Sequence, residues 1–231
     1  MCGRFNDHLP KMHGWTDLLG EWSHNAIGVR PSYNVAPSRL IAGFAIKYGE
    51  ITAPLAMRWG MVPQWADTFE SRYATFNART ETVAEKPTFR NAWKNQQRCI
   101  IPMAGYYEWQ MIGRQTDGSQ GAKPTKQPLY ITDPEQGCLL TAGLYEPWGD
   151  DGQVSCTILT KPASPELNAV HPRMPILLDR STADRWMGDS NQQLGEWLNE
   201  EADISVVYWP VAKAVGNVKN DTPKLIEPTD L

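Results

Sequence analysis

Short apolar runs punctuated by turn-forming residues fill most of this chain. Leu40–Lys47 and 53–59 lie on either side of Tyr48-Gly49-Glu50, a spacing that predicts a hairpin. The stretch 98–110, RCIIPMAGYYEWQ, is rich in β-branched and aromatic residues and predicts a strand. Shorter apolar runs at 128–132, 138–145, 154–159 and 205–209 predict further strands. Helical periodicity is confined to 10–22, 82–97, 181–187 (with Ser181 as N-cap) and 192–201. The segment 112–127 is polar and glycine-rich; strand patterns continue on both sides, so it reads as an exposed loop rather than a boundary. Many strands with few helices predict an α+β fold in one domain spanning 1–231. Its centre is expected to be a mostly antiparallel, twisted, barrel-like β core flanked by the helices.

Composition narrows the classes. With 231 residues, 41% hydrophobic and 21% charged, the chain is too apolar to be disordered. No apolar run approaches the ~18 residues that a spanning helix needs. The opening MCGRFNDHLP has no basic stretch leading into an apolar one, so the expected location is the cytoplasm. Cys2, Cys99, Cys138 and Cys156 form no close pairs, and His8, His13, His24 and His171 add none. Neither a zinc site nor a disulfide framework is therefore expected. The last three cysteines lie in apolar strand-like runs and read as inert core. Net charge is −4, which argues against a general nucleic-acid binder. The acidic residues are uneven, however. Segment 181–205 carries −5, leaving +1 on the rest, so a local basic groove is open. Most of the ten tryptophans read as packing residues, with some left as stacking platforms for unpaired bases.

Met1-Cys2-Gly3 is the most informative stretch for chemistry. A small second residue permits removal of Met1, which would leave Cys2 with a free α-amine two carbons from its thiol. An ordinary α-amine titrates near ~8 and an ordinary thiol near ~8.5, so both nucleophiles are partly available at neutral pH. Together they have one special reaction: the amine condenses with an aldehyde, and the thiol closes a thiazolidine on the resulting imine.

Met1-Cys2-Gly3-Arg4-Phe5 resembles the start of the SOS response-associated peptidase (SRAP) family. Class II glutamine amidotransferases share only the first three residues. Further blocks follow in the family's order: Tyr33-Asn34-Val35-Ala36-Pro37, Arg58-Trp59-Gly60 with Pro63 and Trp65, and Asn77-Ala78-Arg79-Thr80-Glu81-Thr82. Arg98-Cys99 with Pro102, Gly105-Tyr106-Tyr107-Glu108-Trp109, His171-Pro172-Arg173-Met174-Pro175 and Val215-Gly216-Asn217-Val218-Lys219-Asn220 complete the set. The resemblance implies an abasic-site sensor that links covalently to abasic sites in single-stranded DNA through Cys2, as a thiazolidine. It implies no cofactor and no metal, and the expected state is a monomer without membrane contact.

On that resemblance Cys2, Asn77, Glu108 and His171 are the candidate catalytic residues. Cys2 supplies the amine and the thiol. Glu108, flanked by aromatic residues, would move protons as the sugar opens and water leaves. His171 supplies an imidazole, a side chain suited to exchanging protons, and Asn77 offers a donor and an acceptor. Arg4, Arg79 and Arg173 suit phosphate oxygens. Pro37 and Trp65 are candidates to stack on or wedge beside bases, although Gln64 and Ala66 depart from some relatives. Plainer readings stand beside these: a solvent-facing Glu108, a structural His171, a turn residue at Asn77 and surface ion pairs for the arginines. Two other functions stay open, a Cys2/His171 thiol peptidase or amidohydrolase, and a single-strand binder without chemistry.

Overall fold

Alternation along each strand decides which residues enter the core. The computed structural model describes residues 2–9, 15–20, 27–71, 73–112, 125–198 and 204–230. In chain order, the N-terminal half contains β1 (Phe5–Asn6), α1 (Thr16–Leu19), β2 (Leu40–Lys47), β3 (Glu50–Ile51), β4 (Leu55–Trp59), β5 (Asn77–Arg79), α2 (Arg90–Lys94), β6 (Arg98–Met103) and β7 (Gly105–Ile112). The C-terminal half adds β8 (Thr125–Thr132), β9 (Leu139–Trp148), β10 (Gln153–Pro162), α3 (Pro165–Asn168), β11 (Arg173–Pro175), β12 (Leu177–Leu178), α4 (Arg180–Gly188), α5 (Asn191–Trp197) and β13 (Val207–Pro210).

Five strands close on themselves in the order β10-β4-β2-β6-β9, with β9 pairing back onto β10. Pairings are antiparallel except for β4 and β5, which run parallel to β10. The expected α+β, mostly antiparallel, barrel-like core is therefore present. One face of each strand fills the ring with Ile41, Ala45, Met57, Trp59, Cys99, Ile101, Tyr145, Cys156 and Ile158. The alternate positions, among them Phe44, Ile100, Ala142, Leu144 and Leu159, face outward and are covered by the helices through Ala183, Trp186, Leu194 and Trp197. A second sheet, β1-β7-β8-β13, adds Phe5, Tyr106, Leu129 and Ile131 to the inner core.

The predicted hairpin forms with an extra strand: β3 pairs with the end of β2, and β4 then pairs along its beginning. Tyr48 and Gly49 both take positive φ, 55° and 80°, as a two-residue hairpin turn demands. The stretch 98–110 is not one strand. It breaks at Ala104, so that β6 joins the ring and β7 joins the second sheet. Gly105 makes the change of sheet possible. A Cβ there would lie 2.5 Å from the Tyr130 ring and 2.6 Å from the Ile131 carbonyl oxygen. Gly105→Ala is expected to destabilise the protein by about 1–3 kcal/mol through overpacking, read as a lowered midpoint in urea denaturation.

The helices depart from expectation more than the strands. The periodic stretch 82–97 is helical only at Arg90–Lys94, with turns before it. Pro87 has no N–H to give and keeps Lys86 away from helical dihedrals. The N-cap of α4 is Asp179, not Ser181. Its carboxylate accepts the Thr182 N–H at 2.8 Å, and Thr182 returns the bond to the Asp179 N–H at 2.9 Å. α5 begins one residue early on a similar box from Ser190. In the region expected to be helical over 10–22, the described helix is Thr16–Leu19, and 10–14 and 21–22 lie outside the described residues. So do 199–201 at the end of the last predicted helix, and 113–124 of the expected loop. Trp59, Trp186 and Trp197 are fully buried packing residues, whereas Trp65 is 64% exposed. Among the described residues, no helix is long and apolar enough to cross a membrane.

Candidate functional site

The beginning of the chain is tied down on two sides. Phe5 and Asn6 pair with Tyr106 and Gly105 of β7, and Phe5 exchanges both backbone hydrogen bonds with Val35. The Phe5 ring meets Trp59 edge-on at 4.9 Å, inside the core. These contacts hold Cys2 fully buried, where a terminal residue would ordinarily fray.

Four of the predicted residues converge. Asn77, carried on β5 beside Ile158 of β10, donates its side-chain N–H to the Cys2 carbonyl oxygen at 2.7 Å. The Asn77 Oδ1 is buried and has no hydrogen-bond partner among the described residues. Glu108 shares the inward face of β7 with Tyr106 and is 3% exposed, so it is not the solvent-facing member of its strand. Burial raises the Glu108 carboxyl above the usual carboxylate range, with His171 pulling the other way. Burial also raises the Cys2 thiol; the Glu108 charge adds to this, and the Arg4 backbone N–H, donating to the sulfur, opposes it. Tyr106 is pushed up by burial and then by Cys2 and Glu108. His171 follows α3, its backbone N–H bonded to Leu167 O at 3.0 Å. Its Nδ1 accepts the Arg173 backbone N–H at 3.1 Å, which orients the half-buried ring.

The arginines divide. Arg79 lies two residues beyond Asn77 and is exposed. Its strand partner is Thr160, and Arg173 donates to Thr160 O at 2.7 Å, so the two arginines flank one stretch of β10. Arg173 is also paired with Glu81, whose carboxyl it holds below the usual range. Arg4 is not brought to them. It faces the opposite side of the second sheet, donating to Asn34 Oδ1 and Val215 O, both at 2.8 Å, with its guanidinium 6.0 Å from the Trp109 ring. Pro37 is half-buried in the turn before β2, and Trp65 stands out on the segment between β4 and β5. Cys99, Cys138 and Cys156 are buried, and burial pushes Cys138 up to about 12.

Two contributors escaped the sequence reading. Asn34 donates to the carbonyl oxygens of Asn217 and Asn220, at 3.1 and 2.8 Å, and so fastens the C-terminal block beneath Arg4. Glu81 sets the Arg173 fork. Both were inside quoted blocks, but their partners lie 92 to 186 residues away along the chain. Among the described residues, no group of three or more His, Cys, Asp or Glu is placed to hold a metal ion.

Fold and site together describe a β-ring protein whose candidate nucleophile is its second residue. The chain belongs to the SOS response associated peptidase (SRAP) family, whose description matches residues 1–218. It is 32% identical to the abasic site processing protein YoqW of Bacillus subtilis, over 98% of this chain and 99% of that one. It is 30% identical to the abasic site processing protein HMCES of Xenopus tropicalis, over 97% of this chain and 77% of that one. A crystal structure of a protein from Bacteroides thetaiotaomicron shares the fold, with a TM-score of 0.75 at 21% identity, covering 99% of this chain and 100% of the other.

Proposed function

We propose that this protein, once Met1 is removed, captures abasic sites in single-stranded DNA as a thiazolidine on Cys2. The observation that carries the reading is a buried Cys2 that Asn77 holds and Glu108 faces, with His171 acting in turn on Glu108. The names of the relatives support the lesion class. The α-amine attacks the aldehyde carbon of the ring-opened sugar, and water leaves as the imine forms. The thiol then adds to the imine carbon, and its proton ends on nitrogen. Glu108, whose hold on its proton burial strengthens, donates to the departing oxygen and accepts a proton afterwards. Asn77 holds the Cys2 backbone, and its Oδ1 accepts from the amine. His171 exchanges protons with the sugar. Arg79 holds phosphate oxygens, Arg173 joins it by exchanging its surface partner Glu81 for phosphate, and Trp65 and Pro37 meet bases beside the lesion. Arg4 then contributes to DNA binding chiefly by positioning, because its guanidinium is spent on Asn34 and Val215.

The alternative thiol peptidase needs a readily ionised cysteine, usually beside cationic groups. Burial and Glu108 push Cys2 in the opposite direction, which favours a thiol that acts second, after the amine. The test is mass-verified protein lacking Met1, incubated with single-stranded DNA carrying one abasic site and run on a denaturing gel. A shifted band that survives heat and detergent is expected, and none with intact DNA or with protein retaining Met1. Absence of the band from protein with a verified Cys2 terminus would sink the reading.

A further inference from the structure

Glu146 is another buried acid, well apart from Cys2 in sequence and unused by the chemistry above. It is 1% exposed, and both carboxyl oxygens are buried without a hydrogen-bond partner among the described residues. Its place on β9 follows from register. Glu146 pairs with Ser155 of β10, and Ser155 pairs with Arg58 of β4, so the three form one row on the outside of the ring. What covers this row is the segment leading to Trp65. Ser155 Oγ accepts the Val62 N–H at 2.8 Å. Trp148, two residues beyond Glu146 on the same face, donates its indole N–H to Ala66 O at 3.1 Å and packs on Phe69 at 5.6 Å. Leu144, two residues before, shares the outer cluster with Met61. The carboxyl is thus enclosed where the segment is attached on either side of it.

We propose that Glu146 is a positioning residue: in its neutral form it lets segment 61–69 seat on the ring, and its ionisation loosens that segment and the Trp65 it carries. The consequence for DNA rests on the role given to Trp65 above; the latch itself does not.

Charge around the group supports this. On its own strand, Tyr145 points into the ring beside Cys99. From β4, Arg58 spends its guanidinium on Gly60 O and Ser38 Oγ, at 2.8 and 3.1 Å. Asp67 of the covering segment and Glu70 just after it are exposed, as is Lys94 at the end of α2. Burial pushes Glu146 up to about 7. The sign follows from linkage: the native protein keeps a proton that the unfolded chain sheds near ~4.3, so the seated state weakens as pH rises from there to about 7.

The experiment uses DNA-free protein, wild type and Glu146→Gln, between pH 5.5 and 8.5. Hydrogen exchange of the Val62 amide and the Trp148 indole is measured by NMR and corrected for intrinsic rates. Wild type is expected to lose about tenfold or more of its protection at these two sites as pH passes 7, with ring amides such as Ile100 unchanged. Glu146→Gln, neutral at every pH, is expected to stay protected throughout. Equal pH dependence in the two proteins overturns the proposal. Direct titration of the Glu146 carboxyl carbon in wild type gives a check independent of the variant: a midpoint in the ordinary carboxylate range also overturns it. Affinity for intact single-stranded DNA is the second arm. Protection that switches while affinity does not upholds the latch and removes Trp65 from the DNA contact.

Discussion

Mature protein carrying Cys2→Ala is expected to give no adduct that survives heat and detergent, a complete loss rather than a reduction. The reason is bond order. Alanine keeps the α-amine and so can still form an imine with the abasic aldehyde, but an imine hydrolyses. Only the thiol converts it to a ring. Borohydride added during incubation is therefore expected to restore a shifted band for Cys2→Ala, because reduction traps the imine. Cys2→Ser is expected to behave in the same way. The substitution is small, and the site stays organised by β1 and by the Phe5 contact with Trp59, so loss of fold does not explain the result. A stable band from Cys2→Ala without reductant would overturn the thiazolidine. Failure of borohydride to trap anything, in variant and wild type alike, would point to a binder without chemistry.

Glu108→Gln carries the second large effect. Removing a positioned general acid typically costs 10²- to 10⁴-fold, and adduct formation is expected to slow by about that factor. Glutamine keeps the shape and hydrogen-bonding capacity of the side chain, so the loss reports the proton. The wild-type rate is expected to fall as pH rises through the raised carboxyl value, since the acid form is the one that donates. That limb should vanish in the variant. Stability moves the other way. A carboxyl raised by burial stabilises the folded state only while it holds its proton, and that contribution is lost as pH rises from the unfolded value through the folded one. Glutamine has no such loss, so Glu108→Gln is expected to match wild type in acid and to melt higher at neutral pH. Rates for wild type and variant from pH 5 to 8, with melting curves at both ends, separate the two effects. An unchanged rate would return Glu108 to a structural role.

Arg4 and Arg173 show how far residue type carries. Both lie in blocks that resemble the family, and an arginine in such a block reads as a phosphate contact. The structure spends Arg4 on Asn34 and Val215, while Arg173 is held by Glu81 beside the exposed Arg79. Glu108 shows the reverse. Alternation along β7 left its face open, and the core formed by Tyr106, Phe5 and Cys2 made it the buried one.

Local order was legible because strands and turns obey short-range rules. The apolar alternation predicted β2, β4, β9 and β10, Tyr48-Gly49 predicted the hairpin, and the Met1-Cys2-Gly3 start suggested the aminothiol chemistry that we propose. Where helices began and ended was less legible. Pro87 delayed the start of one, and Asp179 displaced Ser181 as a cap because its carboxylate accepts the Thr182 N–H. Closure of β10 onto both β4 and β9 was decided only by the tertiary structure. So were the break at Ala104 that sends β7 to another sheet, and the meeting of residues 2, 77, 108 and 171. Periodicity reports which face of an element is apolar, with a range of a few residues. Which faces then meet is a property of the packed core, and no pattern along the chain encodes contacts between residues dozens to hundreds of positions apart.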